Sequence, residues 1–251
     1  MRKAARNNIF NRQTKKIIRN EQNYLKSTRE NIINKTSSFD TLEAYRSART
    51  NIIFSLFDEE GCKKLIITSA MPGDGKTTTC INLALTFAHM GSNILVIDAD
   101  LRCPRVHSYF DIDNEIGLSN LLVGLAQIDS VIQSKEGIDV ITAGHIPQNP
   151  AELLSSKKMG EILDTLSKRY DYIFIDTPPV GLVADAVNMA KNVSGVIIVA
   201  RQNYTIHKAI NEAIASLKFA NSRILGFIVN DSAHAKHSYR KNKYGYYKYI
   251  T

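Results

Sequence analysis

Few folds are open to a chain in which an apolar run breaks into glycines and re-emerges at once as a helix. Residues 64–69 (Lys64-Leu65-Ile66-Ile67-Thr68-Ser69) read as a buried strand, and 77–90 read as a helix with Gly91 placed for a left-handed C-terminal cap. Between them lies Ala70-Met71-Pro72-Gly73-Asp74-Gly75-Lys76-Thr77. Gly73 and Gly75 free the backbone to fold N–H groups around an anion, and the helix N-terminus adds partial positive charge. The closing Gly-Lys-Thr supplies an ammonium and a hydroxyl, which completes the strand, loop and helix of a Walker A phosphate loop. Lys76 is placed to reach the β- and γ-phosphates of a nucleotide, Thr77 to bind magnesium, and Thr78 to support the α-phosphate. Ala70, Pro72, Gly73, Asp74 and Gly75 form the cradle, with Ala70 standing where the motif has its first glycine, so the match is to a relaxed pattern.

From residue 63 onward, short β-branched runs alternate with helical stretches, the pattern of an α/β fold with a mostly parallel sheet flanked by helices in three layers. The further strands are expected at 93–98, 138–142, 172–176, 195–200 and 224–230. Met159, Ile162, Leu163 and Leu166 recur at helical spacing just before the strand at 172–176. Two of these strands end in acids: Asp98 and Asp100 in Asp98-Ala99-Asp100-Leu101-Arg102, and Asp176 in Asp176-Thr177-Pro178-Pro179. Ligands of doubly wound sheets sit at the carboxyl ends of strands. Alternation along extended chain puts Asp98 and Asp100 on one side. One such acid is as often a turn or cap residue; three beside a phosphate loop point to ATP and Mg²⁺ as cofactors.

A chain of 251 residues with 44% hydrophobic residues suffices for one large core, and no apolar run approaches the length of a membrane span. The basic N-terminus lacks a signal peptide's apolar stretch. Cys62, Cys80 and Cys103 show no paired spacing, which fits a reducing compartment. The net charge of +8 sits at the ends: residues 1–39 carry ten Lys/Arg and two Glu (+8), 40–231 carry 17 and 22 (−5), and 232–251 carry five and none (+5). The expected organisation is a basic arm over 1–37, a phosphate-loop domain over 38–231, and a flexible tail over 232–251. The arm either lies solvated or hugs an anionic membrane or partner. Within 41–57 one amphipathic helix is expected, with 38–40 offering N-cap residues. Five of the eleven tyrosines, Tyr239, Tyr244, Tyr246, Tyr247 and Tyr249, crowd the tail among basic residues. Such a segment could stack on single-stranded nucleic acid, but no nucleic-acid motif accompanies it, and no specific nucleic acid is expected.

The Asp98–Pro104 run in D-x-D-x-R-x-P form, the Ile-Asp-Thr-Pro-Pro of 175–179, and Gly144-His145-Ile146-Pro147-Gln148-Asn149-Pro150-Ala151-Glu152-Leu153-Leu154 together resemble the bacterial tyrosine kinases of capsule and exopolysaccharide systems. The resemblance covers roughly 38–251. It implies a P-loop NTPase fold of MinD/ParA-like type and a protein-tyrosine kinase that modifies its own tail in trans, with the five tail tyrosines as phosphoacceptors. It also implies Asp98 as the base, Asp100 and Asp176 with Thr77 around magnesium, Arg102 steadying the phosphates or a neighbouring subunit, and Asn230 at the adenine. Glu43, Arg46 and Arg49 match the family's E-x-x-R-x-x-R motif, which implies contacts joining subunits into a ring, an octamer in the family. A transmembrane modulator, or polysaccharide co-polymerase, is the implied partner, placing the chain in the cytoplasm at the inner face of the membrane, and other protein tyrosines are further substrates. Two alternatives stay open: a positioning or partition ATPase, although Met71 stands where those carry a second lysine, and a non-catalytic nucleotide-binding scaffold.

Overall fold

Along each apolar run, alternate side chains part to opposite faces of one sheet. In the strand Tyr172–Asp176, Ile173 and Ile175 enter one hydrophobic cluster and Phe174 enters another. The computed structural model describes residues 29–231. The chain before Arg29 and the five tail tyrosines lie outside the described residues.

The sheet holds seven strands: β1 Lys63–Ser69, β2 Ile94–Asp98, β3 Ile132–Lys135, β4 Ile138–Ile141, β5 Tyr172–Asp176, β6 Gly195–Arg201 and β7 Ile224–Asn230, in the order β3-β4-β2-β5-β1-β6-β7. Every pairing is parallel except β3 with β4. The edge strand β3 was not expected from sequence. Its Ile-Gln-Ser-Lys stretch is only partly buried, and a hairpin through Glu136 and Gly137, both at positive φ, returns it onto β4.

Helices cover both faces. On one, α1 (Phe39–Ser55) and α2 (Lys76–Ala88) bury Ile52, Ile81, Leu85 and Phe87 against Leu65, Ile67, Val96, Phe174 and Val199. Phe87 meets Phe174 edge-on at 5.3 Å between centroids. After three short helices, α3 (Val106–Phe110), α4 (Leu118–Leu122) and α5 (Ile128–Val131), the chain adds α6 (Pro150–Ser155) and α7 (Lys157–Leu166). The expected stripe of Met159, Ile162, Leu163 and Leu166 is buried on the second face, beside Ala213 and Leu217 of α9 (His207–Phe219). Between them α8 (Asp185–Met189) follows β5.

Ser38 caps α1 by accepting the Thr41 N–H, and Gly91 takes the left-handed conformation expected of it, at φ 86°. Ordered packing begins ahead of the expected boundary at 38. Asn82 of α2 accepts the Ile33 N–H at 2.9 Å and donates to the Asn31 carbonyl at 3.0 Å and the Tyr45 hydroxyl at 3.1 Å.

Candidate active site

Because β1, β2 and β5 run parallel in register, Asp98 and Asp176 end β2 and β5 at one level, opposite Ile67 of β1, which continues through Thr68 to Ser69 before its loop. The loop leaving β1 therefore passes directly beside both acids. Gly73 and Gly75 take φ of 84° and 88°, which other residues resist. A Cβ at Gly75 would stand 2.4 Å from the Asn230 amide nitrogen. As the N-cap of α2, Gly75 provides no side-chain acceptor, so the first-turn N–H groups face the loop uncapped. That is the donor arrangement a phosphate fills, and the residues fit a nucleotide.

Lys76 Nζ lies 2.9 Å from Asp100 Oδ2 and 3.3 Å from Asp176. Burial works against its charge, but Asp176 and then Asp100 outweigh it and hold the ammonium's pKa above its ordinary value. Thr77 donates to Asp176 Oδ2 at 2.6 Å. Burial raises the Asp176 carboxyl, with Lys76 and the Thr77 hydroxyl pulling the other way. One hydroxyl and two carboxylates thus converge, hard oxygen donors of the kind magnesium takes. Among the described residues no three His, Cys, Asp or Glu side chains close on one point.

Asp98 and Asp100 part company. Asp98 is wholly buried and accepts three backbone N–H bonds, from Asp100 at 3.1 Å and from Arg105 and Val106 at 3.0 Å, so it fastens the turn into α3. Burial, then the nearby Asp176, lifts its carboxyl to about 7. Only Asp100 reaches Lys76.

The family described as an AAA domain matches residues 62–225. The chain is 42% identical over 207 residues to the tyrosine-protein kinase YwqD of Bacillus subtilis (strain 168), a match covering 82% of this chain and 85% of that one. The chain belongs to the family of bacterial tyrosine-protein kinases. Among solved members of the family, the kinase domain of Escherichia coli tyrosine kinase ETK superposes with a TM-score of 0.73 at 37% identity, covering 75% of this chain and 74% of that one. The wider P-loop fold extends to the septum site-determining protein MinD of Pyrococcus horikoshii OT3, complexed with Mg-ADP, at a TM-score of 0.59 and 27% identity, covering 69% of this chain and 72% of that one.

In this tyrosine-kinase family member the remaining motif residues are placed as follows. Arg102 turns onto fully buried Asp185, its Nε 2.9 Å from Oδ2, which raises the guanidinium pKa and directs it to α8. Asn230 gives its amide hydrogens to the Asp74 carbonyl at 2.7 Å and Thr79 Oγ1 at 3.1 Å, so its carboxamide braces the loop from beneath. Thr78 pairs with the Tyr109 hydroxyl at 2.6 Å. Arg46 pairs with Glu43 at 2.5 Å on the outside of α1, whereas Arg49 reaches inward to the Thr86 carbonyl at 2.7 Å. The three share a motif but not a direction. Ala70 is buried beneath the loop, its carbonyl 2.5 Å from where a Cβ on Gly181 would stand.

Sequence reasoning missed Asp185, Tyr109, and the turn after β6. There Tyr204 donates to the Pro72 carbonyl at 2.9 Å and Thr205 donates to Asp74 Oδ1 at 2.6 Å. None carries a local motif; each reaches the site from a distant segment.

Proposed function

We propose that the chain transfers the γ-phosphoryl group of ATP to tyrosine hydroxyls of its own tail, presented by a neighbouring copy, and thereby regulates synthesis and export of capsular or extracellular polysaccharide. The observation that supports this most is the convergence of Lys76, Thr77, Asp100 and Asp176 on the glycine loop. Magnesium, held by Thr77, Asp100 and Asp176, would offset charge on the phosphates.

The loop N–H groups bind and orient the triphosphate, and Lys76 meets the charge that develops on it. Asp98 accepts or orients the phenolic proton, and its raised carboxyl suits it to hold a proton near neutral pH. A phenol titrates near 10, so positioning of the hydroxyl matters more than basicity. Arg102 supports this arrangement at one remove, by tying the loop after β2 to α8.

The ring contact belongs to the same proposal. Glu43 and Arg46 lie on the outer side of α1, where a neighbouring subunit can be met, with Arg49 seating the helix. Among the described residues no helix is long and apolar enough to cross a membrane, and the proposed place of action is the inner membrane face, through a transmembrane partner.

The test is labelled ATP with Mg²⁺, using the whole chain, Asp98→Asn, and a chain ending at 231, each with and without the partner. Label on the tail tyrosines of the whole chain that is lost in Asp98→Asn, with any label on the chain ending at 231 confined to tyrosines outside the tail, supports the kinase. Released phosphate with no labelled tyrosine supports an ATPase, and neither product, partner present, supports a scaffold.

A further inference from the structure

Five tyrosines lie among the described residues, and four are set into the packing: Tyr109 and Tyr170 are buried, and Tyr45 and Tyr172 are half-buried. Tyr204 differs. It is 45% exposed, on the surface turn 201–205 between β6 and α9, where Asn203 takes a left-handed φ of 58°. It is also the tyrosine whose hydroxyl touches the phosphate loop, donating to the Pro72 carbonyl at 2.9 Å. A Cβ on Gly73 would lie 3.3 Å from that hydroxyl, so the phenol closes over the glycine that shapes the loop. Beside it Thr205 donates to Asp74 Oδ1 at 2.6 Å while Asp74 Oδ2 accepts the Met71 N–H at 2.9 Å. The turn therefore grips the loop at two points. The Arg201 guanidinium lies 5.5 Å from the centre of the Tyr204 ring and holds Asp231 with its Nε at 2.5 Å.

We propose that Tyr204 is a second kind of phosphoacceptor, separate from the tail, whose modification releases the turn from the phosphate loop and weakens nucleotide binding. The proposal rests on the tyrosine-kinase reading. Surface turns are the segments that another protein's active site can engage. The phenol oxygen of one copy attacks the γ-phosphorus of ATP held by another. An O–P bond forms, the bond from that phosphorus to the β,γ-bridging oxygen breaks, ADP departs, and the phenolic proton passes to the acting copy's base or to water. The product has lost the O–H that Pro72 accepted. In its place stand oxygens carrying about −1.5 to −2 charge. Acceptor then faces acceptor at the Pro72 carbonyl, and a new anion borders the cradle meant for phosphates. Both effects oppose nucleotide binding, so a modified copy would load ATP poorly until the phosphate is removed.

Three measurements on the full chain test this. Peptide mapping by mass spectrometry after incubation with ATP and Mg²⁺, with the transmembrane partner present, should find phosphate on Tyr204. In the nucleotide-free chain, amide hydrogen exchange across 71–76 should quicken in Tyr204→Phe, which keeps the ring and loses only the donor, and quicken further in Tyr204→Glu. Titration with a fluorescent ADP analogue should show roughly fivefold weaker binding for Tyr204→Phe, the scale of one neutral hydrogen bond, and at least about tenfold for Tyr204→Glu, where a fixed charge also repels the phosphates. Phosphate on tail tyrosines with none on Tyr204 overturns the proposal and spares the kinase reading. Unchanged exchange and unchanged affinity in a folded Tyr204→Glu overturn it as well. Phosphate on no tyrosine at all removes the kinase reading and this proposal with it.

Discussion

Lys76 carries the charge balance of the nucleotide-free site. Its ammonium lies between two acids whose side chains are 5% exposed (Asp100) and fully buried (Asp176). Removing one partner of a buried ion pair leaves the other desolvated and uncompensated, a loss of about 3–5 kcal/mol. Lys76→Met should therefore abolish tyrosine phosphorylation and also lower the denaturant midpoint of the nucleotide-free chain. The stability deficit should shrink at acid pH, as the raised Asp176 carboxyl takes up a proton. Asp98 makes a prediction of opposite character. Its carboxyl is lifted to about 7 by burial and by Asp176, while in the unfolded chain it titrates near 4. The folded state thus binds this proton more tightly. The resulting stability is fully present below about pH 4 and is lost as pH rises through about 7. Melting temperatures of the nucleotide-free chain should fall from pH 5 to pH 8, and Asp98→Asn should flatten that slope. The variant should start from a lower stability, because its amide NH₂ must face at least one of the N–H groups of Asp100, Arg105 and Val106 that the carboxylate accepts. A slope unchanged by the substitution would assign the pH dependence to other groups.

Between elements, the seam of α1 with α2 is polar where it meets the segment before α1. Asn82 is buried and satisfies the Ile33 N–H, the Asn31 carbonyl and the Tyr45 hydroxyl together. Asn82→Ala would strand these groups, and a buried polar group left unpaired costs about 1–3 kcal/mol. An unfolding free energy lower by about 2–3 kcal/mol is expected, read as a lower denaturant midpoint, with faster amide exchange over 31–34; an undisturbed midpoint would mean water serves those groups equally well. Asn82 also marks where sequence stops being legible. The central strands announced themselves through apolar runs covered on both faces, and β1 and β5 fall within a residue of expectation, as does the edge strand β7, whose run Ile-Leu-Gly-Phe-Ile-Val is apolar although none of it is fully buried. The glycine loop and the three acids were readable because each sits at a strand end with its own local pattern. β3 was not, since a half-exposed antiparallel edge needs no apolar run. Nor were Asp185, Tyr204 and Asn82, whose partners lie 83, 132 and 49 residues away and share no spacing rule. The direction of Arg49 was hidden for a related reason. Helical spacing places it beside Glu43 and Arg46, but a long side chain still chooses between solvent and the Thr86 carbonyl.

The charge of the whole chain is divided in a way that matters for how one copy meets another. Residues 40–231 carry −5 and residues 232–251 carry +5, the latter with five of the eleven tyrosines. An acidic body therefore attracts the basic segment that bears its proposed substrates, and attraction between exposed charges is screened within about 8 Å at physiological salt. Initial rates of tail phosphorylation should accordingly fall several-fold between about 50 and 500 mM NaCl, where the Debye length contracts to only a few ångströms. Transfer between copies can be separated from transfer within one. A chain ending at 231 keeps the site but offers no tail, and a full chain with Lys76→Arg keeps the buried cation and the tail while losing the lysine geometry at the phosphates. Neither should label its own tail; mixed, they should label the tail of the Lys76→Arg chain, with a rate that rises with the concentration of the truncated partner. Label absent from the mixture but present in the unmodified chain would confine the reaction to a single copy. Five phosphates at about −1.5 to −2 each would turn the tail from +5 to about −2.5 to −5. The salt dependence of tail binding should then reverse sign, since screening helps two acidic segments approach as it hinders opposite ones, and the finished product leaves the site by the same electrostatics that brought the substrate in.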